Sequence, residues 1–231
     1  MSKSIITAFI LLMHCAISSA QSNVTFYGGT NYSNVTRISE NEDNDIDTDE
    51  SGYIGYQIGI QSDLSLSSHL ALSTGIEYQR IGDKFESNGA GSRFEYIFRE
   101  DYIKIPLMLK IRTSGVPNEG GLFLSAGPYF GYWIAVSDKT EFEADPSNTF
   151  GINGTSERKG FDEVFGDNQN ENVVDVGARL TAGVDLPLGS LSALRIAAAY
   201  DFGFVDIIET ESNENNFNRV LALNLGLVFP L

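Results

Sequence analysis

Eight charged residues stand where an extended chain would turn them to a common face among glycines and small polar residues: Glu77, Lys104, Lys110, Asp175, Arg179, Asp185, Arg195 and Asp201. Acids and bases are equal in number, which is what a cross-strand ion-pair network needs, because a charge left unpaired in a closed interior is costly. Two kinds of chemistry are open to such a set: a structural plug, or a path along which a proton or ion moves. A second group is the acidic run Glu40-Asn41-Glu42-Asp43-Asn44-Asp45-Ile46-Asp47-Thr48-Asp49-Glu50. Asp45, Asp47 and Asp49 have the spacing that opens a helix-loop-helix calcium site. Glu50 stands where that loop needs glycine, and Tyr56 where it needs a bidentate acid. The run therefore reads as a solvated loop of mutually repelling charge, with loose divalent bridging to anionic lipid headgroups as the sharper alternative.

Candidate catalytic groups are few. After the N-terminal segment the one histidine is His69, in a short turn, where a structural role is expected because a general base must meet its nucleophile. There is no G-x-S-x-G, phosphate loop or H-E-x-x-H. We expect no catalysis, no cofactor and no metal site.

The elements that must position the charged set are strands. Val174, Val176, Ala178, Leu180, Ala182, Val184 and Leu186 fall on one side of an extended chain, and Asp175, Gly177, Arg179, Thr181, Gly183 and Asp185 on the other. Strict period two over this length is a strand with one oily and one polar face. It exceeds the usual five or six residues of a globular strand and suits a tilted bilayer crossing, which needs roughly nine to eleven. Eight such stretches recur, at about 24–32, 53–64, 70–80, 102–112, 121–135, 173–186, 191–204 and 219–229.

Their connections alternate long and short without exception, as in an up-and-down antiparallel barrel with large loops at one rim and tight turns at the other. The four long connections, residues 33–51, 82–100, 138–172 and 206–218, hold 24 of the 31 acids and 7 of the 15 bases. The formal charge of -16 thus resides in the loops and excludes nucleic acid as a partner.

Composition bounds the rest. Lys3, the apolar run from Ile5 to Ile17 and the small residues Ser18-Ser19-Ala20 predict a signal peptide over 1–20 and a barrel domain over 21–231. The single cysteine, Cys15, lies in that leader, so the mature chain has no thiol chemistry. Alternation alone leaves two orientations. A soluble lipocalin-like carrier would turn the oily face inward around a ligand. A membrane barrel would turn it to lipid, with glycines inside making room for long charged side chains. The absence of charge in the middle of the oily face favours lipid. So do aromatics near strand ends: Tyr32, Tyr56, Tyr78, Phe130, Tyr132, Phe202 and Phe204 towards the long-loop rim, Phe26 and Phe229 towards the other.

The chain resembles the small outer-membrane β-barrel family of Bacteroidota often called PorT-like. The resemblance rests on 26–32 (F-Y-G-G-T-N-Y), 102–107 (Y-I-K-I-P-L), 124–132 (L-S-A-G-P-Y-F-G-Y) and the closing Asn218-Arg219-Val220 to Phe229. Such barrels usually end on the aromatic residue, whereas here Pro230 and Leu231 follow. The resemblance implies an eight-stranded transmembrane barrel in the bacterial outer membrane, without a catalytic motif, and through the founding member an accessory part in type IX secretion. The expectation is an all-β, eight-stranded antiparallel up-and-down transmembrane barrel with long extracellular loops and short periplasmic turns. It would be monomeric, with outer-membrane lipid as its main partner and a protein partner reached through the acidic loops.

Overall fold

A computed structural model describes residues 22–38, 49–89, 92–115, 119–143, 174–189, 192–205 and 215–231. The leader with Cys15 and most of the acidic run, residues 40–48, lie outside the described residues. Eight strands follow one another: β1 (Ser22–Ile38), β2 (Asp49–Ser65), β3 (Leu70–Gly89), β4 (Ser92–Arg112), β5 (Gly121–Glu143), β6 (Val174–Pro187), β7 (Ala193–Gly203) and β8 (Asn215–Pro230). Each pairs antiparallel with the next, and β8 returns to β1, from Asn23 opposite Pro230 to Ile38 opposite Asn215. Closure leaves no sheet edge within the cylinder, which is what lipid demands of a strand protein, since no water is there to satisfy exposed backbone groups.

The orientation is the membrane one. Leu107, Leu180 and Leu223 are exposed on the outer surface, whereas Lys104 and Lys110 are fully buried and Arg179 and Arg195 nearly so. The carrier reading is thereby overturned: the interior holds charge and the outside is a belt of leucine, isoleucine and valine. Short turns link β2 to β3, β4 to β5 and β6 to β7, and both described termini lie at that same rim, where the Leu231 amide donates to the Ser22 carbonyl.

The strands depart from sequence expectation at the other rim. Residues 82–100, expected as a loop, continue β3 and β4 as a paired ribbon up to Gly89 opposite Ser92, and β5 pairs with β4 as far as Glu143 opposite Arg93. Charged residues on its outer side mask the pattern. On its inner side Ile81, Phe85, Tyr96 and Phe98 keep the alternation going, with the Phe85 and Tyr96 rings 6.2 Å apart. β1 and β8 likewise pair out to Ile38, while the β1–β2 ladder stops at Ser33 opposite Tyr53 and the β7–β8 ladder at Phe202 opposite Arg219. Above the rim the cylinder therefore opens, among the described residues, into a β8–β1 ribbon and a β2–β5 sheet.

Candidate functional site

All eight of the charged residues singled out above are buried, but the barrel sorts them into two layers rather than one network. The layer nearer the long-loop rim is built on Arg179 of β6. Its Nη1 and Nη2 donate to Glu77 of β3 at 3.0 and 2.8 Å, and its Nε and Nη2 donate to Asp201 of β7 at 2.5 and 2.7 Å. Lys104 of β4 donates to Asp201 at 3.2 Å and lies 3.7 Å from Asp175. Tyr27 donates to Glu77 at 2.6 Å and Tyr129 to Asp175 at 3.1 Å, so these two carboxylates each have a phenol as well as a cation, while Asp201 has two cations.

The layer nearer the short-turn rim is built on Asp63, which sequence reasoning missed. Its carboxylate accepts from Lys110 at 2.7 Å on both oxygens, from Ser73 at 2.5 Å and from Arg195 at 3.4 Å. Arg195 in turn forks onto Asp185 at 2.7 and 2.9 Å. The signal for Asp63 was available: Gly55, Gln57, Gly59, Gln61 and Asp63 share one face of β2 by period two.

Three of the interior glycines serve a purpose other than the one the sequence suggested, while Gly131 does lie against the Lys104 stem, 3.4 Å from where its Cβ would be. The three make room for rings. Tyr27 stands directly across from Gly59, Tyr129 across from Gly177 and Phe123 across from Gly183. A Cβ at Gly177 would come within 2.6 Å of the Tyr129 hydroxyl, and one at Gly183 within 2.6 Å of the Phe123 ring. Each ring lies over its glycine, and those of Tyr129 and Phe123 also meet cations. Lys104 sits 4.3 Å from the Tyr129 centroid, and Lys110 and Arg195 lie 5.0 and 4.7 Å from that of Phe123. The build from wall to axis is thus glycine, ring, cation, carboxylate.

Between the two layers lies a cavity of about 40 Å³, bounded by Glu77 and Arg179 on one side and Phe123 and Arg195 on the other. That is room for a few waters, each needing roughly 10–15 Å³ by the same measure. Above the upper layer, Ile81, Tyr102, Trp133 and Val220 form a small apolar cluster at the long-loop mouth.

The nine aromatics singled out lie on the outer face. Phe26, Tyr32, Tyr56, Phe130, Phe202, Phe204 and Phe229 are exposed, and Tyr78 and Tyr132 half-buried. Phe26 meets Phe229 edge-on at 6.2 Å near the short-turn rim, and Tyr56 meets Tyr78 at 5.9 Å towards the other. Two cations join the latter girdle: Arg80, forked onto Asp101 and set over Tyr56, and Arg219, 3.7 Å from the Phe202 centroid. His69 is exposed in its turn beside the Ser68 hydroxyl, 2.8 Å away. Among the described residues no group of three His, Cys, Asp or Glu side chains could hold a metal ion.

A closed eight-stranded antiparallel cylinder with an oily exterior, aromatic girdles and a charged, side-chain-filled lumen defines a small transmembrane β-barrel of the outer-membrane class. Residues 18–209 match the outer membrane protein beta-barrel domain family, and the chain belongs to it. It is an outer-membrane protein. Similar solved structures include OprG of Pseudomonas aeruginosa (11% identity, 92% of this chain and 96% of that one, TM-score 0.47). Others are the N-terminal β-barrel domain of OprF from the same organism (12%, 92% and 100%, 0.44) and Ail of Yersinia pestis in complex with the heparin analogue sucrose octasulfate (11%, 90% and 99%, 0.39). Likeness at this level says nothing of function. Among curated proteins, none matches the sequence.

Proposed function

We propose that this chain is a non-enzymatic, monomeric outer-membrane protein whose filled lumen is scaffold and whose function lies at its surface. The supporting observation is the interior: two layers of buried ion pairs enclose a cavity of about 40 Å³, too small for a continuous water column. The eight charged residues act in this reading as a structural plug, and the nine outer aromatics as anchors at headgroup depth. Purified protein in planar bilayers shows no steady single-channel conductance; reproducible unitary currents would sink the plugged-lumen reading.

In this reading the chain is secreted by cleavage ahead of Gln21, and the acidic connections, with residues 40–50 the densest in charge, meet a protein partner outside the cell. Within the family we assign it to the PorT-like barrels of Bacteroidota. The stretches carrying that assignment, 102–107 and 124–132, are paired neighbours on β4 and β5, with Ile103 opposite Tyr132 and Ile105 opposite Phe130. An accessory part in protein secretion rests on that likeness. A deletion strain that exports its full set of secreted proteins would remove it.

A further inference from the structure

We propose that the periplasmic mouth of the barrel is a binding site for a single carboxylate group, built by Arg112 and Asn23. Among the described residues five bases are buried in the lumen, and four of them, Lys104, Lys110, Arg179 and Arg195, each lie within 4 Å of a carboxylate. Arg112, at 3% exposure, does not. Its contact is Nη2 donating to the Ser65 hydroxyl at 3.3 Å, and its Nε and Nη1 have no hydrogen-bond acceptor among the described residues.

Asn23, equally buried at 2%, also has an unpartnered side-chain amide nitrogen. The two stand at the same end of β2. Asn23 stands opposite Asp63 in the β1–β2 register, Ser65 follows two residues on, and Arg112 reaches Ser65 from β4. Both lie at the edge of the mouth, Arg112 being the last residue of β4 and Asn23 the second of β1.

No further aspartate or glutamate side chain of the given sequence stands at this place. Residues 1–21 ahead of β1, and 116–118 and 190–191 within the turns, contain neither Asp nor Glu, and Glu119 is exposed. The lower layer holds Asp63 and Asp185 against Lys110, Arg195 and Arg112, a surplus of one positive charge. A guanidinium taken out of water without a counter-charge is unfavourable, and a carboxylate meeting its free N–H groups offsets that with charge-assisted hydrogen bonds. One negative charge balances the layer. A phosphate dianion would bring a second beside Asp63 and Asp185, so the site is selective for a carboxylate.

The test uses the full chain folded in detergent micelles with ¹⁵N-labelled arginine. Sodium acetate, at ionic strength matched with sodium chloride, shifts one Nε–H resonance saturably and raises the thermal unfolding midpoint. Both effects are absent in Arg112→Gln, and Asn23→Ala raises the half-saturating acetate concentration about tenfold. In chloride alone Arg112→Gln is at least as stable as the wild type, because a buried cation without a counter-charge has been removed. A free acid and a protein side chain are separated by N-acetylglutamate amide. Saturation equal to that by acetate assigns a free small carboxylate, and a tenfold preference for the glutamyl compound assigns a periplasmic polypeptide. The proposal is overturned if acetate gives no saturable shift, if the shift persists in Arg112→Gln, if inorganic phosphate binds more tightly than acetate, or if Arg112→Gln melts below the wild type in chloride. An Arg112→Gln variant that does not fold counts as one that melts below the wild type.

Discussion

Arg179 is held from two sides, by Glu77 of β3 and Asp201 of β7, and so ties together strands far apart around the cylinder. Truncating it leaves both carboxylates buried with weaker compensation. Arg179→Ala is expected to cost about 3–5 kcal/mol, the range for breaking a buried ion pair by removing one partner. A lowered midpoint of the heat-modifiable gel shift, confirmed by urea titration in micelles, is the measurement; an unchanged midpoint would show that the layer contributes little. At this scale the sequence was legible where a charge interrupts an otherwise apolar and small-residue alternation, as Arg179 and Asp185 do in β6. Asp63 was not read, although the expected strand 53–64 contains it, because it sits beside Ser62 within two residues of the end of β2. The roles of Tyr27, Phe123 and Tyr129 were hidden for another reason. Each is defined by the glycine across from it, and that pairing exists only once the register between strands is known.

The strands themselves were legible in number and order, because period two is local and the alternation of long and short connections is global. Their upper ends were not. Lys84, Glu86 and Glu95 made the stretch after Arg80 look like solvated loop, yet they decorate the outer side of a ribbon whose inner side is aromatic. Lys84 lies 2.5 Å from Glu86 and 3.4 Å from Glu95, and the hydrogen bond to Glu86 holds its ammonium above the ordinary lysine value of 10.5. A raised folded-state value means that any stability this group adds is fully present at neutral pH and is lost only as pH climbs past 10.5 through the raised value. The group is partly exposed and screened by solvent, so the contribution is small. Lys84→Met is expected to change the unfolding free energy at pH 8 by less than about 1 kcal/mol and to lose even that in high salt. A larger change would show that the ribbon is coupled to the membrane-embedded cylinder, which its position above the rim argues against.

For the whole molecule the decisive arrangement is oil outside and charge inside, and each half of it has its own experiment. Leu223, mid-strand on β8 and exposed to lipid, is replaced by arginine at a cost of about 2–4 kcal/mol, as read from urea-dependent folding into phosphatidylcholine vesicles. An arginine tolerated there without loss would mean that this face is not in hydrocarbon. The interior makes the complementary case. Water crossing the barrel must pass the Glu77–Arg179–Asp201 layer, the intervening cavity and the Asp63–Lys110–Arg195–Asp185 layer in series. Opening either one leaves the other shut. Arg179→Ala and Arg195→Ala are therefore each expected to stay silent in planar bilayers, whereas the double variant conducts, because two gates in series admit ions only when both are breached. Currents from either single variant would show that one layer alone seals the lumen and that the other is packing.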